Sequence, residues 1–350
     1  MARMRPAHDP ADPPSAAGPL YAGIDVGGTN IKIGLVDDHG ATAAYRSIPT
    51  NEERGPEDAA GRIAETVRAL AAEAGVASDA VVRAGLATPG PMDIPRGMLL
   101  IPGNLPHWHN SRIRELVSVA CDLPVTFAND ANAAAFGEFW HGAARDYRSL
   151  VLFTMGTGIG GGIVVDDMLI EGVHSAGGEL GHIIIDARDD APENSLGLRG
   201  TLEGFCGAYA VVRRTAAALA TQKNSSLHGR LAAGAELTPL LVAQEAEGGD
   251  ELAREVVMET ARYMAIGIAT VVHTVDPESV VIGGAMTFGG DGHPLGEQFM
   301  ACVRRHARAR MLAPIRDKVH IDFAVLGGDA GYIGAAGLAR REHHGAVLMR

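Results

Sequence analysis

The chain has no basic excess, few cysteines and no long apolar run. Lys and Arg number 30 against 42 Asp and Glu, a formal net charge of −12. No positive surplus is available to neutralise a phosphate backbone, which speaks against a nucleic-acid partner. The three cysteines, Cys121, Cys206 and Cys302, are scattered and odd in number. They imply no disulfide framework, so a reducing cytoplasm is the expected compartment. No apolar stretch approaches the ~20 residues needed to cross a bilayer, and no membrane partner is expected. The opening segment "MARMRPAHDPADPPSAAGP" lacks the apolar core of a signal peptide and reads as a disordered leader over residues 1–19. A G-x-x-x-x-G-K-S/T phosphate loop is also missing, and "GGTNIKIG" is not a dinucleotide fingerprint.

What is present points to a globular α/β protein. The 350 residues are 47% hydrophobic, enough for two ordinary domains and a substantial core. Glycine is abundant (45 residues) and clustered, as expected where backbone turns approach a ligand closely. Strands alternate with amphipathic helices, which predicts mainly parallel sheets with antiparallel hairpin edges. A helix is predicted from Pro56 to about Gly75, with Ile63, Val67 and Leu70 on one face. Others are predicted over about 130–141, 201–221, 238–247, 250–275 and 297–310, and from about Asp329.

One repeat organises the chain. "DVGGTNIKIGLVDD" (Asp25 to Asp38) aligns without a gap to "TMGTGIGGGIVVDD" (Thr154 to Asp167). Each copy is a strand, a Gly/Thr turn, a strand and an acidic turn, and each opens one half of the chain. The repeat predicts a duplicated domain. The expected division is 20–129 with 327–350 for a small domain, and 130–326 for a large one.

The two glycine turns could cradle a phosphate chain through their backbone N–H groups. Gly27, Gly28, Thr29 and Asn30 form the first, with Lys32 as a cation and Asp25 placed to act through Mg²⁺-bound water. Gly156, Thr157 and Gly158 form the second. The plainer reading is two tight hairpins with ordinary glycine punctuation. "FANDANAAAFGE" ends a strand at Asn129 and starts a helix at Asp130. Asp130 is either a helix cap or a general base that takes a hydroxyl proton during phosphoryl transfer. Asn104, Glu179, His182 and Glu203 are polar groups of the kind that bond adjacent sugar hydroxyls. The spacing Glu179-x-x-His182 equally invites a metal reading.

Taken in order, "GIDVGGTNIKIGLVD", "NDANAAAFGE", "GTGIGGGIV", "GGELGH", "RGTLEG" and "VIGGA" resemble the ROK-family sugar kinases (repressor, open reading frame, kinase) from about Ala22 to Gly337. The resemblance implies the duplicated actin-like, ribonuclease H-like fold with an interdomain active-site cleft. It implies transfer of the γ-phosphoryl of ATP, with Mg²⁺, to the 6-hydroxyl of a hexose. Glucose is favoured; fructose, mannose, N-acetylglucosamine and N-acetylmannosamine stay open, as does polyphosphate as donor. Asp130 resembles the catalytic base. Asn104, Asn129, Glu179, His182 and Glu203 resemble sugar contacts. Asp25, Gly27, Gly28, Thr29 and Lys32 match the first phosphate motif, Thr157 and Gly158 the second, and Gly283-Gly284 the adenosine side. A homodimer or homotetramer is implied.

The chain departs from the family pattern in one segment. Where family members carry "CGCGxxGCLE", this chain has "NSLGLRGTLE", with Asn194, Leu196 and Thr201 at the three cysteine positions. None of them supplies a thiolate, and a structural zinc needs about four ligands. No structural zinc is therefore expected, and His182 is expected to face the sugar. The family's other branch, sugar-responsive regulators, carries an N-terminal helix-turn-helix of roughly 60–80 residues. Only about 19 Pro-rich residues precede the first strand here, which disfavours that reading.

Overall fold

The computed structural model describes residues 18–221 and 224–348. The expected leader over 1–19 lies outside them but for its last two residues. In chain order the structure forms β1 (Leu20–Val26), β2 (Asn30–Val36), β3 (Thr42–Pro49), α1 (Gly55–Glu73), β4 (Val81–Thr88), β5 (Met92–Asp93), β6 (Met98–Leu99), α2 (Ile113–Cys121), β7 (Val125–Asn129) and α3 (Asp130–Trp140). Then come β8 (Ser149–Met155), β9 (Ile159–Val165), β10 (Met168–Leu169), α4 (Leu202–Cys206), α5 (Ala208–Thr221), α6 (Leu227–Ala232), α7 (Pro239–Glu247) and α8 (Glu251–Val275). The last elements are β11 (Ser279–Gly283), α9 (Pro294–Arg308), β12 (His320–Phe323) and α10 (Ala330–Leu348).

The two repeats each build a five-stranded sheet with the same plan. The first runs β3-β2-β1-β4-β7 and the second β10-β9-β8-β11-β12. In the first, β1 pairs antiparallel with β2 and parallel with β4, and β4 pairs parallel with β7. In the second, β11 lies parallel to both β8 and β12. This is the duplicated actin-like α/β fold that the resemblance implied. The described residues divide into two compact units, one of 18–149, 162–178 and 325–348, the other of 150–161, 179–221 and 224–324. Helix α3 thus lies with the first unit.

In the first unit, one face of the sheet is covered by α1. Its residues Ile63, Val67 and Leu70 recur at helical spacing and are buried, with Trp108, Ile113 and Val117 in the same cluster. Each such side chain contributes about 1.5–3 kcal/mol on burial. The C-terminal helix α10 packs against β1, β4 and α3. Glycine makes that approach possible. A Cβ on Gly23 of β1 would sit 1.9 Å from the Tyr332 carbonyl oxygen, and one on Gly85 of β4 1.9 Å from that of Ala335. Glu138 of α3 is wholly buried, yet its carboxylate accepts N–H bonds from Ala143 (2.9 Å), Val325 (3.2 Å) and Leu326 (2.7 Å). A buried carboxylate is tolerable when hydrogen bonds replace its water. Here they also anchor the strand-to-helix return of the chain.

In the second unit, α8 is the longest helix. It buries Leu252, Val256, Val257, Thr260, Met264 and Ile268 at helical spacing, and Asp250 caps it by accepting from Ala253 N at 2.8 Å. The helix expected over 201–221 is two helices, α4 and α5, broken at Gly207. The break has a tertiary cause: Ala208 N donates to the carbonyls of Gly156 (3.0 Å) and Thr157 (3.2 Å). A straight helix would spend that N–H internally.

Candidate active site

Two expected site residues of the first unit lie at the C-terminal ends of the parallel strands on either side of β4. Asp25 is in β1 one residue from its end, and Asn129 closes β7. The β1–β2 turn is tight, with Gly27 N donating to Asn30 O (2.9 Å) and Thr50 Oγ donating back to Gly27 O (2.7 Å). Gly28 and Thr29 are exposed at its tip. Asn104 packs beside this turn: a Cβ on Gly28 would lie 3.4 Å from the Asn104 Cβ and carbonyl oxygen. Nothing in the local pattern of either stretch pairs them.

Asp25 has an unusual environment. Burial pushes its carboxyl up to about 6, against the pull of the Lys32 ammonium. Lys32 itself donates to the carbonyl of Gly328. A Cβ on Gly331 would sit 2.4 Å from the Asp25 carboxylate, so the α10 glycine seats it. A carboxylate whose charge is poorly compensated is suited to a cation, and the chemistry of this position fits Mg²⁺.

At the start of α3 the two readings of Asp130 separate. Asn129 is the N-cap, with Oδ1 accepting from Ala131 N (2.9 Å) and Asn132 N (3.2 Å). Asp130 is the first helical residue, half-buried, and its Oδ1 accepts from Ala131 N at 2.8 Å. The cap role therefore belongs chiefly to its neighbour.

The second unit gathers the other candidates around the second glycine turn. Gly156 N donates to Gly158 O at 3.0 Å, and Thr157 is exposed at the tip. Glu203 of α4 is buried directly behind it. Its Oε2 accepts from Ile159 N (3.1 Å), and its Oε1 accepts from Ser195 Oγ (2.9 Å) and Tyr209 Oη (3.4 Å). A Cβ on Gly158 would lie 2.3 Å from that carboxylate, so glycine is needed there for packing. Gly284, at φ 94°, has the same need: a Cβ would meet Met155 O at 2.3 Å. This seats the end of β11 beside the second turn. Gly283 packs against Ala324, which a Cβ would approach to 2.9 Å.

Glu179 precedes a short 3-10 turn that His182 closes, with Glu179 Oε2 3.8 Å from His182 Nε2. The other ring nitrogen, Nδ1, lies 3.0 Å from Asn194 Nδ2. The remaining positions of the cysteine pattern do not fit zinc. The Leu196 side chain is 70% exposed, and the Thr201 hydroxyl caps α4 by accepting from Gly204 N at 3.2 Å. Asn194, Ser195 and Tyr209 are functional-site neighbours that the sequence did not single out. The one signal for Asn194 was its place at the first lost cysteine.

The sequence pattern described as the ROK family matches residues 21–342. The chain belongs to the ROK family. Among ROK relatives, a glucokinase from Halalkalibacterium halodurans is 32% identical over 93% of this chain and 96% of its own length. An N-acetylmannosamine kinase from Salmonella heidelberg is 30% identical over 91% and 97%. The crystal structure of a ROK hexokinase from Thermus thermophilus superposes with a TM-score of 0.77 at 32% identity, covering 93% of this chain and 99% of that one. A ROK glucokinase from Streptomyces griseus, solved in complex with glucose and AMPPNP, gives a TM-score of 0.70 at 28% identity over 92% and 99%. These similarities support a sugar kinase that uses ATP. Among the described residues, no helix is long and apolar enough to cross a membrane.

Proposed function

We propose that this protein phosphorylates the 6-hydroxyl of a hexose, with glucose as the substrate and ATP as the donor. The observation that carries the reading is the arrangement at the β7–α3 junction: Asn129 caps the helix, and Asp130 stands beside it as a half-buried carboxylate. Its role is to accept the hydroxyl proton as the sugar oxygen bonds the γ-phosphorus and the bond to the β-phosphate oxygen breaks, releasing ADP. The turns Gly27–Asn30 and Gly156–Gly158 supply backbone and threonine donors to the phosphates, and Lys32 supplies charge. Gly283 and Gly284 border the adenosine. Asp25 would hold Mg²⁺, which neutralises phosphate charge when bound with the nucleotide.

Asn104, Asn129, Glu179, His182 and Glu203 are the sugar-recognising residues of this reading. Sites built to bond hydroxyls discriminate strongly, because a missing hydroxyl leaves their polar groups unpaired. A homodimer or homotetramer in the cytoplasm belongs to the same reading and rests on the resemblance. A second reading, kinase for an N-acetylated hexose, is favoured by the N-acetylmannosamine kinase relative.

A coupled assay over glucose, fructose, mannose, N-acetylglucosamine and N-acetylmannosamine, with ATP and polyphosphate as donors, decides between them. Glucose with MgATP is expected to give the highest kcat/KM. A higher value for an acetylated sugar would transfer the assignment to the second reading.

A further inference from the structure

We propose that Asn194 is a positioning residue that locks His182 in the tautomer carrying its proton on Nε2, the form able to donate to a sugar hydroxyl. The inference rests on the sugar-kinase reading for its purpose, but its geometry stands within one unit of the fold. Asn194 is buried, at 6% exposure. Its Oδ1 accepts from two backbone N–H groups, Leu196 N at 3.0 Å and Leu198 N at 2.9 Å. Backbone N–H groups only donate, so the oxygen of this amide must face them. The NH₂ end is thereby the end turned to His182 Nδ1, at 3.0 Å. An amide NH₂ cannot accept. Nδ1 must therefore offer its lone pair, and the neutral ring carries its hydrogen on Nε2.

The consequence reaches the ligand-facing edge of the ring. Nε2 is 3.8 Å from Glu179 Oε2, beyond a direct hydrogen bond. The pair thus presents a donor beside an acceptor, which suits hydroxyl groups, since each can accept and donate. Asn194 N also donates to Leu198 O at 2.8 Å, and Gly197 N to Asn194 O at 3.1 Å, so the 194–198 turn closes on itself. The next residue, Ser195, holds Glu203 Oε1 at 2.9 Å. One dipeptide therefore fixes two of the proposed sugar ligands. It does so by hydrogen bonds, at the position where the family pattern has its first thiolate.

The test is ¹⁵N NMR of the histidine rings, with His182 assigned by its absence in His182→Gln. Wild type should show the Nε2–H tautomer. Asn194→Asp keeps an oxygen for Leu196 and Leu198 but turns the other end into an acceptor. At about pH 9, well above the ordinary imidazole range, its His182 should switch to the Nδ1–H tautomer. The KM for sugar should then rise about tenfold or more, the scale of one lost hydrogen bond to a well-formed site, with KM for ATP and kcat near wild type. An Nδ1–H tautomer in wild type would overturn the proposal without any variant. So would a stoichiometric zinc whose removal moves the His182 resonances, or an Asn194→Asp protein with unchanged sugar KM. An Nε2–H ring in a protein that phosphorylates no sugar would overturn the kinase reading alone.

Discussion

Asp130→Asn lowers kcat on the order of a hundredfold or more and leaves sugar binding within a few-fold of wild type. The amide keeps the size of the carboxylate and an oxygen that can still accept from Ala131 N, the 2.8 Å bond of the native side chain. It cannot take up the hydroxyl proton. The helix itself should be little affected, because Asn129 carries the two-bond cap. Steady-state kinetics with MgATP and sugar titrations of the same preparation separate the two quantities. A loss confined to KM would make Asp130 a binding group, and retention of most of kcat would remove it from the chemistry.

Asp25→Asn is expected to trade activity for stability. Burial holds the Asp25 carboxyl near 6 rather than at its ordinary 3.8, despite Lys32. A folded-state value above the unfolded one means that folding disfavours the ionised form. Below about pH 4 the group is protonated in both states and costs nothing. As pH rises from 4 to 6 the unfolded chain ionises first, and stability falls. Above pH 6 the full cost, about 3 kcal/mol, is present. Asparagine carries no charge to desolvate. In magnesium-free buffer near pH 8, Asp25→Asn should be more stable to denaturant than wild type by up to that amount, and the gap should close near pH 4. Turnover with MgATP should fall on the order of a hundredfold or more, because the carboxylate proposed to hold the cation is gone. A variant that is less stable at pH 8, or one that keeps full activity, would contradict the role given to Asp25. A stabilised but inactive variant is what strain stored at a functional site produces.

The sequence carried the architecture through its repeat. The aligned hairpins at Asp25 and Thr154 become the β1–β2 and β8–β9 hairpins of two sheets with one plan. Periodicity placed α1 and α8 because their buried residues recur at helical spacing over several turns. The six-residue α6 escaped notice, being too short to show a period. The break at Gly207 was illegible for a different reason: it serves carbonyls about fifty residues earlier. The same holds for Glu138, which reads as a surface residue of an Ala-rich helix until its three backbone donors are in place. Candidate site residues were legible where a motif marked them. Their supports, Asn194, Ser195 and Tyr209, were not, because side-chain hydrogen bonds across an irregular segment of six to twelve residues leave no periodic pattern.

Movement of the γ-phosphoryl of ATP onto a hexose by this chain is followed directly by ³¹P NMR of wild-type protein with glucose and MgATP. The γ-phosphate signal of ATP is expected to fall with matching growth of a phosphomonoester at the 6-position of glucose, and no such ester is expected with Asp130→Asn over the same time. Release of inorganic phosphate alone, or no ester with any hexose of the panel, would contradict that transfer.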